Sequence, residues 1–304
     1  MYVLAIDTGG TKIAGAVVDE TGRILEKRIL RREKSGVKLR DESIRMYQEL
    51  TEYFSGKYEL RAIGVGVGGT INPTTGVSIA VSRDKGWENF SVVDAFGEFT
   101  DIPVAVENDG KVAIYGEMWM GAIKGARSGV GVIIGTGVGG GYFEDGQVFH
   151  GKNFRAGEIG HIILYPRTRQ CDCGQVGCVE AFCSGTALWS EYNRQAGEDV
   201  LCNGHQFFER VYAGDPVAQQ ILDQFAVDTG TALVSMVRVY DPEVIFIGGG
   251  LIETADLWWD KMEAQFRKEC YDSQRDTPIV KSVLGNDAAL LGAAKIAFNM
   301  LAVR

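Results

Sequence analysis

Two glycine-rich loops, each set between short apolar β-type runs, constrain the fold of this chain more than any other feature. The first, Asp7-Thr8-Gly9-Gly10-Thr11-Lys12, separates Val3 to Ile6 from Ile13 to Val18. The second, Gly135-Thr136-Gly137-Val138-Gly139-Gly140-Gly141, lies between Val130 to Ile134 and Gly140 to Phe143. A third, Gly248-Gly249-Gly250, follows the apolar run Val244 to Ile247 and precedes a helical pattern. Glycine lets backbone N–H groups come close to an anion. The first loop fits neither the Walker pattern nor a dinucleotide fingerprint, because both of those open a helix. Taken singly, each loop reads as a tight turn. Three in matched positions read as a nucleotide site, the first two gripping a polyphosphate and the third giving a base or ribose bare backbone to lie against.

The surrounding pattern is α/β. A third strand, Ile24 to Leu30, follows the hairpin turn Asp19 to Gly22, and Ile44, Tyr47, Leu50, Tyr53 and Phe54 recur at helical spacing over Asp41 to Phe54. Strands at Ala62 to Val67 and Val104 to Val106 and a helix over Gly110 to Met120 complete a first domain, residues 1–120. Residues 121–304 repeat the order, with a further strand at Gln147 to Phe149; the last helix, about 287–304, is a candidate for packing back on the first domain. The cleft between two such halves is the expected site. At 304 residues and 45% hydrophobic content the chain can bury two cores. Its net charge of −9 argues against nucleic acid as a partner. The opening strand at Tyr2 leaves no export or membrane signal, so the cytoplasm is the expected compartment.

His161, Cys171, Cys173 and Cys178 have the residue types and spacing of a tetrahedral zinc site, with Gly174 and Gly177 freeing the backbone to wrap an ion. Four protein ligands close such a site, so the Zn²⁺ is structural; packed reduced thiols are the plainer reading. Glu158 and Glu180 flank the ligands and are drawn by them towards one point, which suggests an anchored pocket. Cys183, Cys202 and Cys270 read as unpaired packing residues. Asp7 is the only carboxylate of the first loop, a candidate oxygen ligand for a hard cation or a turn-stabilising side chain. Asp109, beside Asn108 where a strand gives way to a helix, fits a general base and equally a helix N-cap.

Together these motifs resemble the ROK family of bacterial sugar kinases, within the actin-like ATPase (ribonuclease H-like) superfamily of two-domain proteins with the active site in the interdomain cleft. The resemblance rests on Asp7 to Lys12, Asn108-Asp109, Gly135 to Gly141, Glu158-x-Gly-His161, the Cys171 to Glu180 segment and Ile247 to Gly250. It implies transfer of the ATP γ-phosphate to a hexose hydroxyl, usually the 6-hydroxyl, with Asp109 as base and Mg²⁺ near Asp7. It implies a sugar held by Gly69, Asn108, Asp109, Glu158, His161 and Glu180. It also implies phosphate contacts from Gly9, Gly10, Thr11, Lys12, Gly135, Thr136, Gly137, Gly139 and Gly248 to Gly250, and a homodimer. The chain departs from the family pattern at Gly66 to Thr70, at Asp84 before Gly86-Trp87, and at Gly110-Lys111, where Lys111 reads as a solvated helix face. These departures leave the sugar open among glucose, N-acetylhexosamines and fructose. The alternatives are a non-catalytic sugar sensor of the same family and an actin-like structural ATPase, for which the zinc segment has no evident use.

Overall fold

The computed structural model describes residues 1–32, 38–80 and 85–303. In chain order the elements are β1 (Tyr2–Thr8), β2 (Lys12–Asp19), β3 (Ile24–Arg31), α1 (Leu39–Ser55), β4 (Leu60–Val67), β5 (Thr70–Asn72), β6 (Val77–Ala80), β7 (Phe90–Ser91), α2 (Val92–Gly97), β8 (Val104–Asn108) and α3 (Asp109–Met120). There follow β9 (Ser128–Ile134), β10 (Val138–Glu144), β11 (Gln147–Val148), α4 (Glu180–Cys183), α5 (Gly185–Ala196), α6 (Gly204–Tyr212), α7 (Pro216–Tyr240), β12 (Val244–Gly248), α8 (Trp259–Glu269), β13 (Ile279–Lys281) and α9 (Ala288–Val303). Two compact units result: Met1–Gly125 with His150–Arg155 and Asn286–Arg304, and Ala126–Phe149 with Ala156–Gly285. The short segment His150–Arg155 lies far inside the stretch 121–304, yet it packs with the first unit.

The first unit is built on a sheet ordered β3-β2-β1-β4-β8. β1 pairs antiparallel with β2 and parallel with β4, and β4 pairs parallel with β8. Val3, Leu4, Ala5 and Ile6 are buried on both faces of β1, as a central strand requires. β3 alternates half-buried and exposed residues and carries Lys27, Arg28 and Arg31, a composition suited to an edge that must not pair further. Met46, Tyr47, Leu50 and Phe54 of α1 cover one face of the sheet. The other face takes α9, which packs along α3 and against β1 and β4. A methyl group at Gly292 would lie 1.6 Å from Val112 O and one at Gly116 2.1 Å from Ala288 O, so these two helices meet at backbone contact. A small antiparallel sheet, β5-β6-β7, completes the unit.

The second unit repeats the plan. Its sheet is ordered β11-β10-β9-β12-β13, with β9 antiparallel to β10 and parallel to β12. Ile221, Leu222, Phe225, Leu233 and Val237 of α7 join Ile245 and Ile247 of β12 in its core. α7 starts where Asp215 accepts from the amides of Val217 and Ala218, with Pro216 in the first turn. Every strand and helix named from the sequence is present, extended at most three residues where backbone pairing outlasts the apolar run, with Phe149 left outside β11. Among the described residues no helix is long and apolar enough to cross a membrane.

Candidate functional site

In the first unit, the turn between β1 and β2 is closed by Gly9 N donating to Lys12 O at 3.0 Å. Arg32, just past β3, holds the turn from behind: its backbone N donates to Thr11 O and its Nε to Gly9 O, both at 3.0 Å. The rest of its guanidinium donates to Leu39 O, Glu42 Oε2 and Ser43 Oγ. Thr8 Oγ1 and Tyr47 OH share a 2.8 Å hydrogen bond. These ties leave Gly10, Thr11 and Lys12 exposed. Asp7 is half-buried, and burial, reinforced by the charge on Asp109 and opposed by Lys12 and Lys27, raises its pKa to about 6. Arg32 and Tyr47 carry no motif. The only signal for Arg32 in the sequence is its place just past the end of an alternating strand.

The junction of β8 and α3 decides between the two readings of Asp109. Asn108 Oδ1 accepts from Lys111 N at 3.0 Å, so Asn108 is the N-cap and Asp109 is the first helical residue. The N-cap reading of Asp109 is therefore corrected. Asn108 Nδ2 donates to Gly69 O at 2.9 Å, Gly69 having φ +97°, and to Asp109 Oδ1 at 3.0 Å. Gly110 N also donates to Asp109 Oδ1, while Oδ2 stands beside Gly68, 3.5 Å from where a methyl there would lie. Asp109 keeps solvent access. The protein atoms crowded round it still strip enough hydration to raise its pKa above the ordinary carboxylate value, against the bonds from Gly110 and Asn108.

Lys111 is not a solvated helix face. It is 4% exposed, and its Nζ donates to Phe154 O at 3.1 Å. Glu107, also buried, meets His150 Nε2 at 2.5 Å and accepts from Asn108 N. These two contacts fasten His150–Arg155 to the first unit on either side of Asn108 and Asp109. Asp84 lies outside the described residues.

In the second unit, the β9–β10 turn is held by its own chain and by two helices. Gly135 N donates to Gly137 O at 2.9 Å, and the amides of Gly185 and Thr186, at the start of α5, donate to Gly135 O and Thr136 O. Glu180 Oε2 accepts from Val138 N at 2.8 Å. Substituents at Gly135, Gly139 and Gly250 would meet open space, whereas one at Gly249 would strike the carbonyl of Ile134. Gly249 therefore serves close packing against β9.

Glu158 is exposed and leads into a single helical turn, Ile159–His161. The next segment folds back on itself through antiparallel bridges Ile163↔Cys178 and Gln170↔Val176. Gly174 and Gly177 supply its left-handed backbone, both at φ +92°. This brings one ligand atom from each of His161, Cys171, Cys173 and Cys178 within 4.8 Å of one another. His161 Nδ1 lies 3.8 Å from Cys171 Sγ, and Cys173 Sγ lies 3.6 Å from Cys178 Sγ. A zinc tetrahedron with Zn–S bonds of about 2.3 Å has edges of about 3.8 Å, so the donor set and its separations fit Zn²⁺. Glu180 Oε1 stands 3.7 Å from Cys171 Sγ.

The ROK family model matches residues 3–299. A glucokinase of Halalkalibacterium halodurans is 31% identical over 96% of this chain and 93% of its own length. Among solved structures, a ROK hexokinase from Thermus thermophilus has a TM-score of 0.87 at 31% identity, all of both chains being covered. A ROK family glucokinase from Streptomyces griseus, solved with glucose and AMPPNP, has a TM-score of 0.85 at 27% identity and covers 98% of this chain and all of its own. The fold is the two-domain actin-like ATPase fold. The chain belongs to the ROK family.

Proposed function

We propose that this ATP-dependent sugar kinase transfers the γ-phosphate of ATP to a hexose hydroxyl, the 6-hydroxyl of glucose, an N-acetylhexosamine or fructose, with Asp109 as general base. One observation carries the assignment: Asn108, not Asp109, caps α3, so the Asp109 carboxylate is free of helix duty and keeps Oδ2 available beside Gly68. A base works best when its pKa approaches the working pH, and crowding moves Asp109 in that direction. Phosphoryl transfer needs little covalent help from the protein; it needs positioning and charge neutralisation. Asn108 offers both a donor and an acceptor to a polyol, and fixes Asp109 Oδ1 so that Oδ2 takes the proton of the attacking hydroxyl.

The loop Gly9 to Lys12 and the β9–β10 turn would hold the phosphates of ATP, with Gly248 to Gly250 beside the base or ribose. A Mg²⁺ ion bound with the nucleotide would neutralise phosphate charge, and Asp7 would hold it directly or through water. Glu158, His161 and Glu180 would hold the sugar from the second unit, with Gly69 contributing from the first. His161 faces the sulfurs through Nδ1, which leaves Nε2 for a sugar hydroxyl. A Zn²⁺ ion on His161, Cys171, Cys173 and Cys178 would lock the segment that carries these groups. The proposal includes a cytoplasmic homodimer. A coupled assay of ADP release over a panel of hexoses with Mg²⁺ tests the reaction. Hexose-dependent turnover is expected, and ADP release indifferent to every hexose would sink the reading.

A further inference from the structure

Glu180 makes contacts that holding a sugar does not explain. Its Oε2 accepts from Val138 N at 2.8 Å, across 42 positions of sequence. A methyl at Gly137 would lie only 2.3 Å from that same oxygen. Gly137 is therefore bare to make room for the carboxylate, whereas Gly135 and Gly139 present open faces. The neighbouring carbonyls, which would repel an anion, are turned towards partners within the unit: Gly135 O and Thr136 O take the amides of Gly185 and Thr186, and Gly137 O takes Gly135 N. A carboxylate so near a turn meant for phosphate is electrostatically unfavourable unless it earns its place by shaping that turn.

We propose that Glu180 is a positioning residue for the nucleotide: its bond to Val138 N fixes the β9–β10 turn in its phosphate-binding shape and joins that turn to the Cys171 to Cys178 segment. The inference rests on reading the turn as a phosphate loop. The other end of the link is the chain itself: Glu180 opens α4 two residues after Cys178. One side chain thus answers to both substrates, and disturbing the cysteine segment disturbs the nucleotide loop as well.

The test is nucleotide affinity without sugar, measured by calorimetry on the metal-loaded protein with Mg²⁺ and a non-hydrolysable ATP analogue. Glu180→Ala should weaken the analogue roughly 5- to 30-fold. Glu180→Gln, whose amide oxygen can still accept from Val138 N, should stay within about twofold of the parent. Gly137→Ala should weaken the analogue as Glu180→Ala does, because its methyl displaces the carboxylate, and should cost almost nothing further once Glu180 is already Ala. Hydrogen exchange at the Val138 amide should quicken in both single Ala variants while the melting temperature holds. If Glu180→Ala fails to fold, Gly137→Ala with the exchange measurement decides the matter. Parental analogue affinity in Glu180→Ala or Gly137→Ala overturns the proposal; a parent that binds no analogue refutes the phosphate-loop reading instead.

Discussion

The β1–β2 turn and the β9–β10 turn occupy the same place in two sheets of the same strand order, yet they are made of different chemistry. The first carries charge: Asp7 beneath it and Lys12 at its exposed edge. The second, Gly135 to Gly141, contains no titratable residue and can offer an anion only backbone and the Thr136 hydroxyl. Their supports are opposite in sign as well. Arg32 donates to carbonyls of the first turn, and Glu180 accepts an amide of the second. Repeating a topology has repeated a geometry without repeating its chemistry; on the proposed function the first unit holds the cation and moves the proton, and the second shapes and orients.

If that division is right, the largest loss comes from the first unit. Asp109→Asn should lower kcat by on the order of 10²-fold or more, with both substrates still bound, as measured by steady-state kinetics and calorimetry. Near-parental turnover would break the comparison at its strongest point.

Asp7→Asn should lower kcat/KM for Mg-ATP by roughly 10- to 100-fold, as expected for a lost cation ligand. The same change bears on pH. The folded protein holds a proton on Asp7 more tightly than the unfolded chain does, since its pKa is raised to about 6. The charged form therefore costs stability in full above about pH 6, and that cost shrinks as pH falls from there towards the ordinary carboxylate value, below which it is gone. Asp7→Asn should accordingly raise the melting temperature of the nucleotide-free protein at pH 8, by an amount equivalent to about 1–3 kcal/mol. In the parent, kcat/KM should drop as pH falls through about 6, because protonated Asp7 no longer holds a cation. An unchanged acid limb in Asp7→Asn would assign that titration to another group.

The second unit should show itself in binding. Glu158→Gln is expected to raise the sugar KM roughly 5- to 100-fold and leave the ATP KM nearly unaltered, since the amide keeps the shape but loses charge and one acceptor. Loss of ATP affinity instead would reverse the orientation assigned to the two substrates. Arg32→Met should have the smallest effect, raising the ATP KM about 3- to 10-fold by loosening the β1–β2 turn. Elemental analysis supplies the remaining check: about one zinc per chain is expected, and a metal-free preparation of full activity would leave the three cysteines as packed thiols.

Strand and loop positions were legible because they rest on local signals, apolar runs of period two and glycine punctuation at their ends. The histidine–cysteine cluster was legible for the same reason, three of its four residues falling within eight positions. What the sequence hid depends on partners far along the chain. Lys111 looked solvated because nothing near it announces Phe154, 43 positions on. The bond from Val138 to Glu180 and the return of His150–Arg155 to the first unit have no local trace. The choice between Asn108 and Asp109 as cap turns on one residue of helix boundary, which adjacent polar side chains leave undecided until geometry settles it.

The packing of α9 on α3, β1 and β4 also bears on how the molecule is made. Synthesis runs from the amino end, so residues 1–125 leave the ribosome first, but the face of their sheet that α9 covers stays bare until residues 288–303 emerge. By then all of Ala126–Phe149 and Ala156–Gly285 has been produced. The unit begun second can thus close its core first, and the nascent first unit waits with apolar surface uncovered, an interval in which a chaperone would find its natural purchase.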